Sequence, residues 1–136
     1  MKMSNLEDYN KLPLDLKEVT DDELRILLKK VGQAPSIEVI KNTLEEKQKI
    51  VDGLIEVVPY KDVLIICNED GKILNQKPNI LFDYDYIAGD CFFVGDDYEN
   101  GDFKSLNQEQ ITDILYILNN RSLRYTSQDL DEEKER

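Results

Sequence analysis

Residues 78–103, PNILFDYDYIAGDCFFVGDDYENGDF, carry seven acidic side chains, Asp83, Asp85, Asp90, Asp96, Asp97, Glu99 and Asp102, and no Lys, Arg or His. The apolar run Cys91–Val94 divides them. Four such residues in succession are too apolar to face water, so they predict a strand of a sheet, read here as its last. The acids then fall into two loop groups: Asp83, Asp85 and Asp90 before the strand, and Asp96, Asp97, Glu99 and Asp102 after it. In an antiparallel sheet each group occupies the loops at one end of that strand.

The charge is concentrated in this stretch. Its formal charge is -7, out of -12 for the whole 136-residue chain, so the other 110 residues share only -5. Tyr84, Tyr86 and Tyr98 lie among the acids and add large flat contact area with a polar tip. Such acidity repels phosphate backbones, whose binding needs Lys and Arg to neutralise them. The lysines are scattered and form no basic patch, so direct nucleic-acid binding is not expected. A basic partner is favoured instead, with fast electrostatic association.

Working outward toward the N-terminus, Val63–Cys67 (VLIIC) reads as a central strand covered on both faces. Asn68-Glu69-Asp70-Gly71 reads as a turn with Gly71 at positive φ, and Lys72–Leu74 as the returning strand of a hairpin. Leu54–Val58 is a strand ended by Pro59, and Ser36–Lys41 another. Between these two, Thr43-Leu44-Glu45-Glu46 is a capping box opening a helix that Gly53 closes. A second box, Thr20-Asp21-Asp22-Glu23, precedes Leu24, Leu27, Leu28 and Val31 at i, i+3, i+4 and i+7. That spacing predicts a short amphipathic helix ended by Gly32. Toward the C-terminus, Asn107 and Gln110 cap a helix whose apolar face is Ile111, Ile114, Leu115 and Leu118. Arg121 and Arg124 suit its C-terminal end.

The fold class expected is α+β: a small, mostly antiparallel sheet of about four to five strands packed by two helices, plus the N-terminal amphipathic helix. Three regions follow: residues 1–35 as leader and helix, 36–120 as the α+β domain, and 121–136 as a charged tail. A chain of this length fits one domain. No apolar run approaches the 18 or so residues that span a bilayer. Cys67 and Cys91 sit inside apolar runs and read as reduced core residues of a cytosolic protein, since no secretory segment is seen.

Three chemistries use acidic stretches of this kind: calcium binding, paired-carboxylate catalysis and protein recognition. A calcium loop with Gly101 at position 6 puts Tyr98 at position 3 and Asn107 at position 12, so the acidic third and bidentate twelfth ligands are missing. A paired-carboxylate enzyme needs a pocket and separated pKa values, and no His, nucleophile motif or phosphate-cradling loop accompanies the acids. Protein recognition remains. Asp83 and Asp85 on an extended segment point the same way about 6.6 Å apart, and carboxylates so spaced can occupy Lys and Arg groups that ordinarily hold phosphate. No catalytic residue, metal or cofactor is expected.

The stretches IEVVPYKDVLIICNEDGKIL (55–74) and IAGDCFFVGDDYENGDFKSLNQEQI (87–111) resemble an uncharacterised domain family of phages, plasmids and their bacterial hosts. The resemblance covers about residues 36–118 and is strongest at Ile87–Gly89 and Val94–Leu106. It implies a small α+β domain in a bacterial cytoplasm, often of mobile-element origin, with no assigned activity. The leader and helix before residue 36 depart from the bare domain.

The function expected is that of a counter-defence protein, an anti-CRISPR or antirestriction inhibitor acting as a DNA mimic. It would bind a basic nucleic-acid-handling host protein, a CRISPR effector or restriction enzyme, through Asp83, Tyr84, Asp85, Tyr86, Asp90, Asp96, Asp97, Tyr98, Glu99 and Asp102. The alternative is a module that sequesters a small ligand such as a nucleotide signal beneath the tyrosines. Its phosphates would need backbone N–H groups such as those near Gly95 and Gly101.

Overall fold

The run Cys91–Val94 is not the last strand of the sheet: it lies in the middle, and a further strand, Asp102–Lys104, follows and pairs with its continuation at residues 95–97. The computed structural model describes residues 16–82 and 84–121. In chain order it contains β1 (Glu23–Lys29), β2 (Ser36–Lys41), α1 (Leu44–Val51), β3 (Ile55–Tyr60), β4 (Val63–Asn68), β5 (Pro78–Leu81), β6 (Tyr86–Ala88), β7 (Cys91–Asp97), β8 (Asp102–Lys104) and α2 (Gln108–Arg121). The main sheet runs β2-β1-β7-β4-β3, with β8 also pairing β7, and every pairing is antiparallel. β5 and β6 form a separate two-stranded sheet. The architecture is thus α+β as expected, with six strands in the main sheet and two helices.

β7 is central because both its faces are apolar, which only a strand covered on both sides can satisfy. Phe93 points into one core with Leu27, Ile65, Cys67, Ile111 and Ile114, so this face is covered by α2 and the β5–β6 hairpin. Phe92 and Val94 point into the other, with Leu24, Ile26, Leu64, Ile66 and Val51 of α1. Each fully buried Phe contributes roughly 1.5–3 kcal/mol relative to an exposed one. β1 and β4 flank β7, and β8 lies on the side of β1 because Gly95 pairs both Val63 of β4 and Lys104 of β8. Where β1 leaves β7, the Arg25 N–H donates to Ser105 Oγ at 2.8 Å and the Leu106 N–H donates to the Arg25 carbonyl at 3.0 Å.

The expected N-terminal helix is instead β1. Leu24, Leu27 and Leu28 fit a helical stripe, but Ile26 lies off that stripe and is fully buried. Glu23–Lys29 has both faces covered, a run for which helix and strand patterns coincide. Long-range pairing decides: β1 is in register with β2 from Glu23↔Lys41 to Leu28↔Ser36, and with β7 from Leu27↔Phe93 to Lys29↔Cys91. The capping box forms only in part. The Thr20 N–H donates to Glu23 Oε1 at 3.0 Å, but the Glu23 N–H returns to the Thr20 carbonyl at 3.1 Å, closing a turn that opens a strand. The boundary expected between residues 35 and 36 therefore falls between two paired strands.

Three smaller expectations are also corrected. Pro59 lies within β3 and does not end it, which is tolerated because β3 is an edge strand. Lys72–Leu74 forms no strand but part of a run of turns, and Gly71 does not take positive φ, whereas Asn75 does at 61°. The left-handed cap of α1 is Asp52 at φ 60°, one residue before Gly53. Of the other two capping boxes, Asn107 and Gln110 exchange both hydrogen bonds, at 2.8 and 3.0 Å, while the Thr43 box forms one arm: Thr43 Oγ1 accepts the Glu46 N–H, but the Thr43 N–H donates to the Lys41 carbonyl at 2.9 Å and not to Glu46. Most of the leader (1–15), the tail (122–136, with Arg124) and Asp83 lie outside the described residues.

One buried charge ties the layers together. Lys29, 1% exposed, donates from Nζ to Asn79 Oδ1 at 2.9 Å and to the Lys30 carbonyl at 2.8 Å. The Asn79 amide in turn donates to the carbonyls of Lys29 and Gly89, each at 2.9 Å. A buried ammonium is tolerated only with such acceptors, and these join β1 to β5 and to the β6–β7 turn. Among the described residues no helix is long and apolar enough to cross a membrane.

Ile26→Ala distinguishes the strand from the helix. Removing a fully buried Ile side chain costs about 2–5 kcal/mol, read as a lower urea midpoint at unchanged slope. A position off the apolar stripe of a surface helix would cost almost nothing.

Candidate functional site

The predicted site residues separate into three places. At the β5–β6 turn, Tyr84 is fully exposed and Asp85 forms a salt bridge with Lys72. The hydrogen bond from Lys72 holds the Asp85 carboxyl below the usual carboxylate range, helped by the Tyr86 N–H at 2.7 Å. The same bond raises the Lys72 ammonium. Lys72 Nζ also lies 4.6 Å from the centre of the half-buried Tyr86 ring, within cation–π range. Asp83 lies outside the described residues.

Asp90 has a structural role. Its Oδ1 accepts the Val31 N–H at 2.9 Å, tying the β6–β7 turn to the end of β1. Gly89 beside it sits at φ 82°, and a Cβ there would fall 2.0 Å from Gln76 Oε1, so the turn needs glycine.

The third place is the β7–β8 hairpin. Asp96 and Asp97 end β7 and Asp102 starts β8, while Tyr98 (79% exposed) and Glu99 occupy the turn between them. Gly101 at φ 66° closes that turn. Asp97 accepts the Asn100 side-chain amide at 2.9 Å, and Asp102 accepts its neighbour's N–H at 2.7 Å and the Asn42 amide at 3.4 Å. Among the described residues none of these four carboxylates forms a salt bridge. At the foot of the hairpin the buried Lys47 donates to Asn42 Oδ1 at 2.7 Å and lies 4.7 Å from the Phe103 ring centre; burial lowers its pKa.

A cavity of about 540 Å³ opens between the inner face of β3–β4, the 69–75 turns and the β5–β6 hairpin. Its walls include Glu56 and Tyr60 of β3, Lys72, Phe82, Asp85 and Tyr86, over a floor of Ile65, Cys67 and Ile87. The Tyr60 and Phe82 rings lie 5.1 Å apart at 49°. Of the predicted residues that are described, only Asp85 and Tyr86 reach it. Glu56, Val58 and Tyr60 were missed, although their i, i+2, i+4 spacing places them on one strand face. Gly95 and Gly101 do not line it. Gly95 is buried inside β7 and paired on both sides, so the phosphate cradle expected there is not built. Among the described residues no group of three or more His, Cys, Asp or Glu side chains is arranged to hold a metal ion.

Cys67 and Cys91 are both free and buried. Burial first, and the Glu56 carboxylate second, push the Cys67 thiol up to about 11. Burial raises Cys91 further still.

A small α+β domain with a side cavity and an acidic hairpin is the class of protein these features define. Within that class, the chain belongs to the family described as a domain of unknown function (DUF3846), whose model matches residues 24–119. The match begins in β1 and ends in α2, so β1 is part of the family's domain and not an addition before it. No curated protein and no solved structure matches the chain.

Cys67 lines the cavity as a neutral thiol. Since the thiolate is the reactive form, alkylation by iodoacetamide at pH 8 is expected to run about 100-fold slower than for an exposed thiol. The rate should rise about tenfold per pH unit up to about pH 10. Peptide mass spectrometry of a timed reaction measures both, with protein unfolded in urea as the ordinary-rate control.

Proposed function

We propose that the protein is a binding protein and not an enzyme. It acts in the bacterial cytoplasm as a phage- or plasmid-type counter-defence factor that inhibits a basic nucleic-acid-handling host protein. The observation that carries this reading is the β7–β8 hairpin. There Asp96, Asp97, Glu99 and Asp102 surround an exposed Tyr98, with no salt bridge among the described residues to neutralise them. Carboxylates on a paired hairpin are held in place before binding, so little ordering entropy is lost on contact. Tyr98 supplies the aromatic anchor that interfaces favour. CRISPR effectors and restriction enzymes present Lys and Arg groups that such a surface complements.

A second reading, a module that binds a small molecule, is favoured by the cavity beside Tyr60, Phe82 and Tyr86. Its carboxylates weigh against the phosphates of a nucleotide signal.

The hairpin reading is tested by capture from a host lysate with the wild-type chain and with D96N/D97N/E99Q/D102N. The wild type should retain a basic nucleic-acid-handling protein, and the variant should bind it about 10- to 100-fold more weakly, as expected for losing four rim charges. Binding should also weaken as salt rises from about 0.15 to about 0.5 M, because screening shortens the range of these charges. Full affinity in the variant would rule out the acidic-surface mechanism.

A further inference from the structure

We infer that the cavity between β3–β4 and the β5–β6 hairpin is a binding site for an organic cation, an amine or amidine carried on a flat apolar body. This rests on the cavity alone and is independent of the hairpin.

Size comes first. About 540 Å³ falls within the roughly 300–1,000 Å³ of small-ligand sites. Shape comes next. The tilted Tyr60 and Phe82 rings, 5.1 Å apart, make one wall, and Ile65 and Ile87 make an apolar floor that accepts a planar group.

Charge then selects the ligand. Three carboxylates line the cavity, Glu56, Glu69 and Asp85, against one ammonium, Lys72. Lys72 is already committed to Asp85. Glu56 forms no salt bridge among the described residues: its carboxylate meets the Cys67 thiol at 3.9 Å and acts on Lys72 only at longer range, behind Asp85. The register Glu56↔Cys67 and Val58↔Ile65 turns Glu56 toward the cavity and not the outer face of β3. An apolar, ring-lined site with three carboxylates against one ammonium favours a cation and repels phosphate.

The protein itself already shows the recognition mode. Lys72 Nζ sits 4.6 Å from the Tyr86 ring centre while bonded to Asp85. Glu56 and Glu69 share the cavity lining with the Tyr60 and Phe82 rings and so offer carboxylate and aromatic surface to a further cation; Lys61, 5.8 Å from the Tyr60 ring centre, does not line the cavity.

The cation has two sources, a free molecule or an arginine side chain of a bound protein, and the test separates them. Full-length 15N-labelled protein is titrated with benzamidine, with its neutral isostere benzamide, and with AMP. Benzamidine should give saturable amide shifts over residues 56–58, 65–69 and 86–88, and benzamide should bind at least about tenfold more weakly. Glu56→Gln keeps an acceptor for the Cys67 thiol and is exposed, so the spectrum should stay dispersed while benzamidine affinity drops at least about fivefold. A hexa-arginine peptide is the second arm. If Glu56→Gln weakens the peptide as it weakens benzamidine, the site takes a protein-borne side chain; if the peptide is indifferent, it takes a free molecule.

Equal binding of benzamide and benzamidine would overturn the inference, as would preference for AMP. So would the absence of any Glu56-dependent shift with either benzamidine or the peptide up to about 10 mM, the weak limit of specific small-ligand affinity. The D96N/D97N/E99Q/D102N variant should bind benzamidine normally, so the two readings stand or fall separately.

Discussion

The alternation of Phe92 and Phe93 on β7 is the constraint on which the other layers depend. Adjacent strand residues face opposite ways, so two consecutive buried rings require cover on both sides of the sheet. α1 supplies it on the Phe92 side, and α2 with the β5–β6 hairpin supplies it on the Phe93 side. A slip of one residue would exchange the two rings between unlike cores, so the register with β1 and β4 is tightly set. That register also fixes where the acids go. Beyond Gly95 the strand leaves β4, pairs only with β8, and carries Asp96 and Asp97 into the hairpin.

Two buried lysines show how polar groups specify the arrangement around that strand. Lys29 is buried, and its ammonium closes the space between β1, β5 and the β6–β7 turn through Asn79. Lys47 does the same on the other side, joining α1 to the 42–43 turn and to the ring of Phe103 on β8. A hydrocarbon side chain could fill either space, but it would not select the carbonyl and amide partners that fix the neighbouring turns. Neither contact could be anticipated from spacing, because Lys29 and Asn79 are 50 residues apart.

What was legible in sequence was local. The box at Asn107 forms as read and Thr43 caps its helix through Oγ1, since a cap needs only residues within one turn. The Val63–Cys67 run and the buried core run Cys91–Val94 are strands because nothing else accommodates so many apolar residues in succession. The box at Thr20 misled because its local chemistry is satisfied equally well by a turn before a strand. The deciding partners, Phe92 and Phe93, lie more than 60 residues downstream. Position in the sheet was illegible for the same reason: whether β7 is central and β3 an edge depends on pairings of high sequence separation. The cavity shares that limit, for its lining comes from β3, β4, the 69–75 turns and the β5–β6 hairpin, and no single stretch displays it.

The acidic stretch looks uniform in sequence, but its carboxylates have become unequal. Asp90 and Asp85 are consumed by the fold, the first by a backbone N–H of β1's end and the second by Lys72. Neutralising either would disturb a turn, so a loss of binding there would report on structure as much as on contact. Asp96 and Glu99 make no such bonds among the described residues, and Asp97 and Asp102 bond only within or beside their own hairpin. Charges left unpaired on a rigid, solvent-facing hairpin raise association rates and carry a salt dependence. A ring-lined cavity with two carboxylates outside any salt bridge among the described residues, Glu56 and Glu69, acts differently, by pairing one cation with an aromatic face. No residue of the hairpin lines the cavity. The chain therefore carries two negatively charged regions with separable physics, an exposed hairpin and a ring-lined cavity.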